Sequence, residues 1–412
     1  MDRRVFLSFA LAFAVPAASL AQAPTPADLL GVSGETYFTA WLNDFYARAL
    51  AAGFARSLID RELSGLAPDP RVAALDAAQP EFARPVSAYI NGAISQGRIA
   101  AGRAKAGAIS QFASIEAAYG VPRDILVGVW AMESDFGALQ GNFDIVRSLA
   151  TLAAAGRRRP WAEGELLAAL RILAAAQVSR AKLRGSWAGA MGQTQLLPST
   201  YLSSAVDGDG DGRRDIWASA PDALASAANL LAKGGWRRGE GWAREVILPA
   251  GFDYGLSEGP RQPPPWWREK GVRRADGLAW SGTDAAAPAV LALPAGASGP
   301  AFLLLPNHFA IRTYNNSIAY ALAVGLLADR FAGTGLLRTP WPRETPLSLT
   351  ERLDAQSALI KLGFNPGQPD GVVGVGTRAA LRAWQKSVGL AADGYLSPDM
   401  VRRLRAATQN RA

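Results

Sequence analysis

Hydrophobic positions along most of this chain recur at helical spacing. Phe38, Trp41, Leu42, Phe45, Ala49 and Leu50 follow the i, i+3, i+4 pattern, and residues from about 35 to 118 read as mostly helical. Ile145 to Ala155 and Ala162 to Ala175 continue the theme, with Arg157-Arg158-Arg159-Pro160 as the break between them. One stretch is not amphipathic. Between Pro122 and Gly137, the residues Ile125, Leu126, Val127, Val129, Trp130 and Met132 leave almost no polar face, which predicts a buried helix. Pro122 suits its first turn, where a missing N–H costs nothing. Asp124 sits near the positive end of the dipole. Gly137 is a plausible stop.

The pattern changes towards the C-terminus. Residues 260–300 are rich in Pro, Gly and Ala and carry Trp266 and Trp267, which suggests a surface loop or a small irregular subdomain. Gly333 to Ser348, with Pro340, Pro342 and Pro346, reads as a linker. Beyond it, Leu349 to Ala407 holds two copies of one signal, a Gly/Asp-Gly turn feeding an amphipathic helix, at Asp370-Gly371 and Asp393-Gly394. At the other end, Met1-Asp2-Arg3-Arg4 precedes an apolar run to about Leu20 and the small residues Ser19-Leu20-Ala21. That is the layout of a secretory signal peptide cut after Ala21, and the run is too short and alanine-rich for a membrane span. The expected organisation is therefore residues 1–21 signal peptide, 34–332 main domain, 333–347 linker and 348–408 a small helical module. Export by the Tat route is hinted at only by the twin arginines.

Composition narrows the chemistry. With no cysteine there is no disulfide, no thiol nucleophile and no lipoprotein anchor, so a soluble exported monomer without a stable membrane anchor is expected. His308 is the only histidine and cannot build a zinc site alone. A net charge of +8 suits an anionic partner surface. The arginines are scattered rather than striped, so nucleic acid is not the expected partner.

Three stretches carry candidate chemistry. Glu133 lies in the last turn of the apolar helix. Burial and the negative end of a helix dipole both favour its protonated form, the state a general acid needs. The alternative is a carboxylate that emerges into water or pairs with an arginine. The run from Gly185 to Thr200 mixes glycines and small residues with polar Gln193, Thr194 and Gln195, which suits either tight helix packing or a groove where a ligand touches backbone. Asp207-Gly208-Asp209-Gly210-Asp211-Gly212-Arg213 alternates carboxylates around a tight loop. Gly212 stands where an EF-hand loop turns sharply, and hard oxygen ligands point to Ca²⁺. A solvated Asp–Gly turn is the alternative. Ala218 stands where an EF-hand would place its closing glutamate.

Taken together, these motifs resemble a known family. Glu133-Ser134 followed by an aromatic and Gly, then Gly189-Ala190-Met191-Gly192 with Gln195 some fifty residues on, resembles the lysozyme-like lytic transglycosylases. The opening Gly120-Val121-Pro122, the run Ser186 to Gly192 and Leu196-Leu197-Pro198-Ser199 are similar to the lytic murein transglycosylase B family, over about residues 34–332. The resemblance implies a mainly α, lysozyme-like domain that cleaves the β-1,4 bond between N-acetylmuramic acid and N-acetylglucosamine in peptidoglycan glycan strands, closing a 1,6-anhydro ring. It implies Glu133 as the catalytic acid, and Ser186, Gln195, Tyr314, Asn315 and Tyr320 as residues lining the sugar site. It implies a structural Ca²⁺ held by Asp207, Asp209, Asp211, the Arg213 carbonyl and Asp222, with Asp215 behind them, and no organic cofactor. One departure is Leu230, after Asn229, where the family has a cleft tyrosine. The pattern Leu362-Gly363, Asp370-Gly371, Thr377, Leu381, Trp384-Gln385, Gly389-Leu390, Asp393-Gly394 resembles the type 1 peptidoglycan-binding module of three helices and implies wall targeting. A periplasmic location follows from the expected signal peptide. The rival readings are a hydrolytic muramidase of the same fold and a non-catalytic wall-binding scaffold.

Overall fold

The computed structural model describes residues 32–77 and 84–409, with side chains from Thr36 onward. The expected signal peptide lies outside the described residues. The chain forms two compact units, the first from residues up to 79 and 100–233, the second from 80–99 and 234–412.

The first unit is helical. In the Val32–Ala51 helix the expected stripe of Phe38, Trp41, Phe45 and Ala49 is buried, while Leu42 and Leu50 are half-buried at its edges. The Ile145–Ala154 helix is buried on nearly every side and packs against Arg159–Ala174. The arginine run between them does more than interrupt. Gly156 turns the chain with φ +82°, and Arg157 and Arg158 both converge on the buried carboxylate of Asp76, Arg157 at 2.5 Å. A carboxylate with 2% side-chain exposure is costly to bury without such partners.

The apolar helix runs from Arg123 to Ser134, with Pro122 as the residue just before its first turn rather than within it. All ten residues from Ile125 to Ser134 are buried. It packs against the Phe112–Tyr119 and Ala220–Lys233 helices. It ends at Ser134, three residues before Gly137, because Asp135 already adopts a left-handed conformation, with its N–H on the Ala131 carbonyl.

The second unit contains what the Pro/Gly-rich pattern of residues 260–300 obscured. Four short antiparallel strands lie in the order Arg273–Arg274, Ala243–Ile247, Ala301–Leu304, Val290–Ala292. Val246, Leu291 and Leu303 from those strands surround Trp267, which is completely buried. Its Nε1 donates to the carbonyls of Gln262 at 2.9 Å and Ala289 at 3.2 Å. Trp267 is thus the core of a small subdomain and not a loop residue. Strands of only two to five residues are too short to show an alternation for a sequence reading to detect. The Ile318–Phe331 helix completes this part of the unit against Val86–Ala93. Its Gly325 is required, since a Cβ there would sit 2.3 Å from the Trp242 ring.

The C-terminal module has three helices, Leu349–Lys361, Val375–Ser387 and Pro398–Gln409, around Leu359, Leu381, Trp384 and Leu404. Its two Asp–Gly turns are held in the same way. A buried glutamine, Gln356 in one copy and Gln385 in the other, donates to the turn aspartate (3.0 and 2.9 Å) and accepts from the glycine N–H (2.8 Å in both). The segment before the module is extended but not loose. Glu245 accepts from the Arg338 and Thr339 N–H groups at 2.8 and 2.7 Å, Trp341 stacks on Phe302, and Glu344 accepts from the hydroxyls of Ser87 and Tyr395. Asp393 also accepts from the Ala297 N–H at 2.8 Å.

Candidate active site

Glu133 occupies the last turn of the apolar helix and is 6% exposed. The structure sews that helix end to the Gly189–Leu196 loop. The Ser134 hydroxyl donates to the Gln193 carbonyl at 2.5 Å and accepts from the Gly137 N–H at 2.8 Å. Trp130 Nε1 donates to Gln193 Oε1 at 3.1 Å, and Gln193 Nε2 donates on to the Trp217 carbonyl at 3.2 Å. So the serine after the acid and the glutamine that breaks the small-residue run form one polar network. Gly137 leaves room for it: a Cβ there, at φ +84°, would lie 2.6 Å from Gln193 Oε1.

The backbone leaving the acid is strained. Asp135 (φ 49°), Phe136 (φ 59°) and Gly137 (φ 84°) are three successive left-handed residues, two of them carrying side chains. Such conformations cost about 1–2 kcal/mol per non-glycine residue and persist only where the surroundings fix them. Here the Phe136 ring meets Trp130 edge-on at 5.8 Å, and its N–H reaches the Trp130 carbonyl.

Gln195 is left-handed as well (φ 50°), and its amide donates to the carbonyls of Gly192 (2.8 Å) and Gln140 (3.0 Å). Gln140 in turn donates to Gly137 and Trp217. Gln195 is therefore held by the segment that follows the acid. Gln140 and Trp217 were not singled out in the sequence; an isolated polar residue and a lone tryptophan give no periodic or motif signal. The Ser186 hydroxyl accepts from the Ala190 N–H at 3.0 Å, which closes the tight turn at the start of the loop.

The remaining residues expected at the sugar site belong to the second unit. Tyr314 and Asn315 are half-buried in the turn after the Pro306–Ile311 helix. Tyr320 is 2% exposed in the first turn of the Ile318–Phe331 helix, where Ser317 caps the N-terminus. His308 is fully buried and stacks on Trp242 at 6.3 Å, and burial lowers its pKa to about 3.

The aspartate loop also takes a definite form. Carboxylate oxygens of Asp207, Asp209 and Asp211 lie within 4.8 Å of one another on an exposed loop. Asp207 accepts from the Gly212 N–H at 2.8 Å and the Gly210 N–H at 2.6 Å, and these bonds hold its carboxyl below the usual carboxylate range. Asp222 stands outside that triangle. It is fully buried, and its two oxygens accept from the Gly208 and Asp215 N–H groups, both at 2.7 Å, so it braces the two limbs of the loop. Burial raises the Asp222 carboxyl pKa. Asp215 accepts from the Trp217 and Ala218 N–H groups and shapes the exit. The three hard oxygen donors fit Ca²⁺ in type.

Residues 37–329 match the transglycosylase SLT domain, and residues 348–404 match a peptidoglycan binding domain. The chain is similar to SltB3 from Pseudomonas aeruginosa, solved in complex with NAG-anhNAM-pentapeptide. Sequence identity is 47%, the TM-score is 0.86, and the match covers 89% of this chain and 99% of that one. It is also similar to the lytic transglycosylase Slt35 of Escherichia coli, solved in complex with calcium, at 28% identity and a TM-score of 0.60, over 71% and 92% of the two chains. Membrane-bound lytic murein transglycosylase B of Escherichia coli K12 is 34% identical over 222 residues, which is 52% of this chain and 58% of that protein, so the chain spans a little over half the length of this curated relative. No helix among the described residues is long and apolar enough to cross a membrane. A buried acid at the end of an apolar helix, sewn to a Gly-Ala-Met-Gly loop and followed in the chain by a glutamine-locked three-helix module, places this chain in the SLT-domain lytic transglycosylase family, with a C-terminal peptidoglycan-binding domain.

Proposed function

We propose that this chain is an exported, periplasmic lytic transglycosylase that cleaves the β-1,4 bond between N-acetylmuramic acid and N-acetylglucosamine and leaves a 1,6-anhydro end. The observation that carries the reading is Glu133, a carboxyl buried at the end of an apolar helix and held in place through Ser134 and Gln193. Glu133 gives its proton to the leaving glycosidic oxygen as the bond to C1 breaks. The substrate's acetamido oxygen supports the positive charge at C1. Glu133, now a carboxylate, takes the proton of the C6 hydroxyl as that oxygen attacks C1, and the ring closes without water. One acid thus serves in both steps, and substrate assistance stands in for the second carboxylate that ordinary glycosidases need. Ser186, Gln195, Tyr314, Asn315 and Tyr320 are proposed to line the sugar site. Support comes from SltB3, whose complex contains an anhydro sugar with a pentapeptide.

The experiment is mass spectrometry of digested sacculi. Muropeptides lighter than hydrolysis products by one water are expected; reducing ends alone would make the enzyme a muramidase.

A structural Ca²⁺ on Asp207, Asp209, Asp211, the Arg213 carbonyl and Asp222 belongs to the same reading, with Asp222 also tying together the two limbs of the loop. Slt35 in complex with calcium supports it. The ion would fix the loop and take no part in bond cleavage. Added Ca²⁺ should raise the melting temperature by mass action and Mg²⁺ should do so less. The double substitution Asp207→Ala, Asp211→Ala should remove the shift, and identical melting with and without chelator rules the ion out.

A further inference from the structure

The second unit contains a cavity of about 1030 Å³ that none of the chemistry above uses. The C-terminal module, the segment before it and the strand subdomain all contribute to its lining, which includes seven arginines and only four carboxylates. Those carboxylates are already engaged. Glu258 pairs with Arg378 at 2.9 Å and Arg382 at 3.2 Å, and Asp399 pairs with Arg402 and Arg403. Glu344 is held by the Ser87 and Tyr395 hydroxyls, and Asp393 by Gln385 and backbone N–H groups. Among the described residues no carboxylate pairs with Arg261, Arg312 or Arg343.

Two of these arginines are held close together. Arg261 lies over the Phe309 ring at 4.3 Å and Arg312 over the same ring at 6.0 Å. Arg312 is half-buried, with Nη2 on Asn316 at 2.5 Å and a buried Nε that has no hydrogen-bond partner. Burial first, then the charges of Arg261 and Arg378, lower the Arg312 pKa. Neighbouring like charges, one of them half-buried with a spare donor, favour an anion between them. The lining of the same cavity also includes aliphatic Val290, Leu293, Ile318 and Leu390. Alkyl surface interspersed with forked donors matches a short peptide bearing carboxylates better than a sugar or a bare phosphate.

We propose that this cavity is a second binding site, taking the carboxylates of a peptidoglycan stem peptide on Arg261 and Arg312 and so holding the wall at a point other than the reacting bond. This rests on the reading of the substrate as peptidoglycan. It predicts that the enzyme binds stem peptide in the absence of any sugar.

The probe is a synthetic stem pentapeptide without glycan, titrated calorimetrically against the full chain. Wild type should bind it. The double substitution Arg261→Ala, Arg312→Gln should weaken binding at least about tenfold, the size expected for one lost charge-assisted contact, with the melting temperature reported alongside. If Arg312→Gln compromises folding, Arg261→Ala and Arg343→Ala, both at exposed positions, should each weaken binding severalfold. The same peptide with its carboxyls amidated should bind at least tenfold more weakly, and inorganic phosphate at equal concentration should not displace it. The proposal is overturned if wild type does not bind the peptide, if amidation or the substitutions leave affinity unchanged, or if phosphate competes equally, which would mark a general anion site. Because no bond is cleaved, the outcome is independent of whether Glu133 makes the anhydro product.

Discussion

Two kinds of turn in this molecule face the same backbone problem and meet it differently. In the C-terminal module, each Asp–Gly turn puts a glycine at the left-handed position, Gly371 at φ +75° and Gly394 at φ +72°, and a buried glutamine satisfies the turn's polar groups. After Glu133 the chain goes left-handed at Asp135 and Phe136, before any glycine. The module's turns are relaxed and repeated. The turn beside the acid stores strain and is restrained by Trp130, Ser134 and Gln193. The difference separates a part built to be stable from a part built to fix one carboxyl in position.

The sharpest way to break the contrast is at the acid. Glu133→Gln keeps the shape but removes the proton, so sacculus cleavage should fall by two to four orders of magnitude, the range for a lost general acid. Its melting curve should stay close to wild type. Near-normal turnover would remove Glu133 from the mechanism.

A second test concerns His308, a buried polar side chain whose ring nitrogens have neither a glutamine lock nor any other hydrogen-bond partner. Its folded pKa of about 3 lies below the ordinary 6.5, so as pH falls through that window the unfolded chain takes up a proton that the folded chain refuses. Stability should drop by roughly 2–3 kcal/mol between pH 6.5 and 4.5 from this group. His308→Phe should flatten that slope in urea titrations; an equal slope in both proteins would show that the histidine finds a way to charge.

Smaller effects test the turns themselves. Gln385→Ala should leave Asp393 and the Gly394 N–H without their buried partner and destabilise the module by about 1–3 kcal/mol. Cleavage of soluble glycan fragments should hardly change. If fragment cleavage falls in step with stability, the two parts are coupled. The last pair of substitutions should have opposite signs. Gly394→Ala brings a Cβ to 2.8 Å from the Arg378 carbonyl in a left-handed position and should cost at least about 1 kcal/mol. Asp135→Gly relieves a left-handed residue and should stabilise by up to about 1 kcal/mol in thermal unfolding. If both destabilise, strain does not distinguish the two turns.

The amino-acid order alone determined the helical class, the Phe38–Ala49 stripe, the buried helix with Glu133 in its last turn, the alternating aspartates and the paired Asp–Gly turns. Each is a local pattern in which residue spacing and backbone preference agree. The tertiary structure decided the rest, because the partners lie far apart in the chain. Gln193 reaches Ser134 and Trp130 across some sixty residues. Trp267 became the core of a subdomain because three short strands from separate stretches close around it. Asp222 became a brace between the limbs of the aspartate loop because burial and two backbone donors claimed its oxygens. The Arg157–Arg158 pair meets its partner Asp76, and Arg261 and Arg312 meet around Phe309, through packing that no short window of sequence contains.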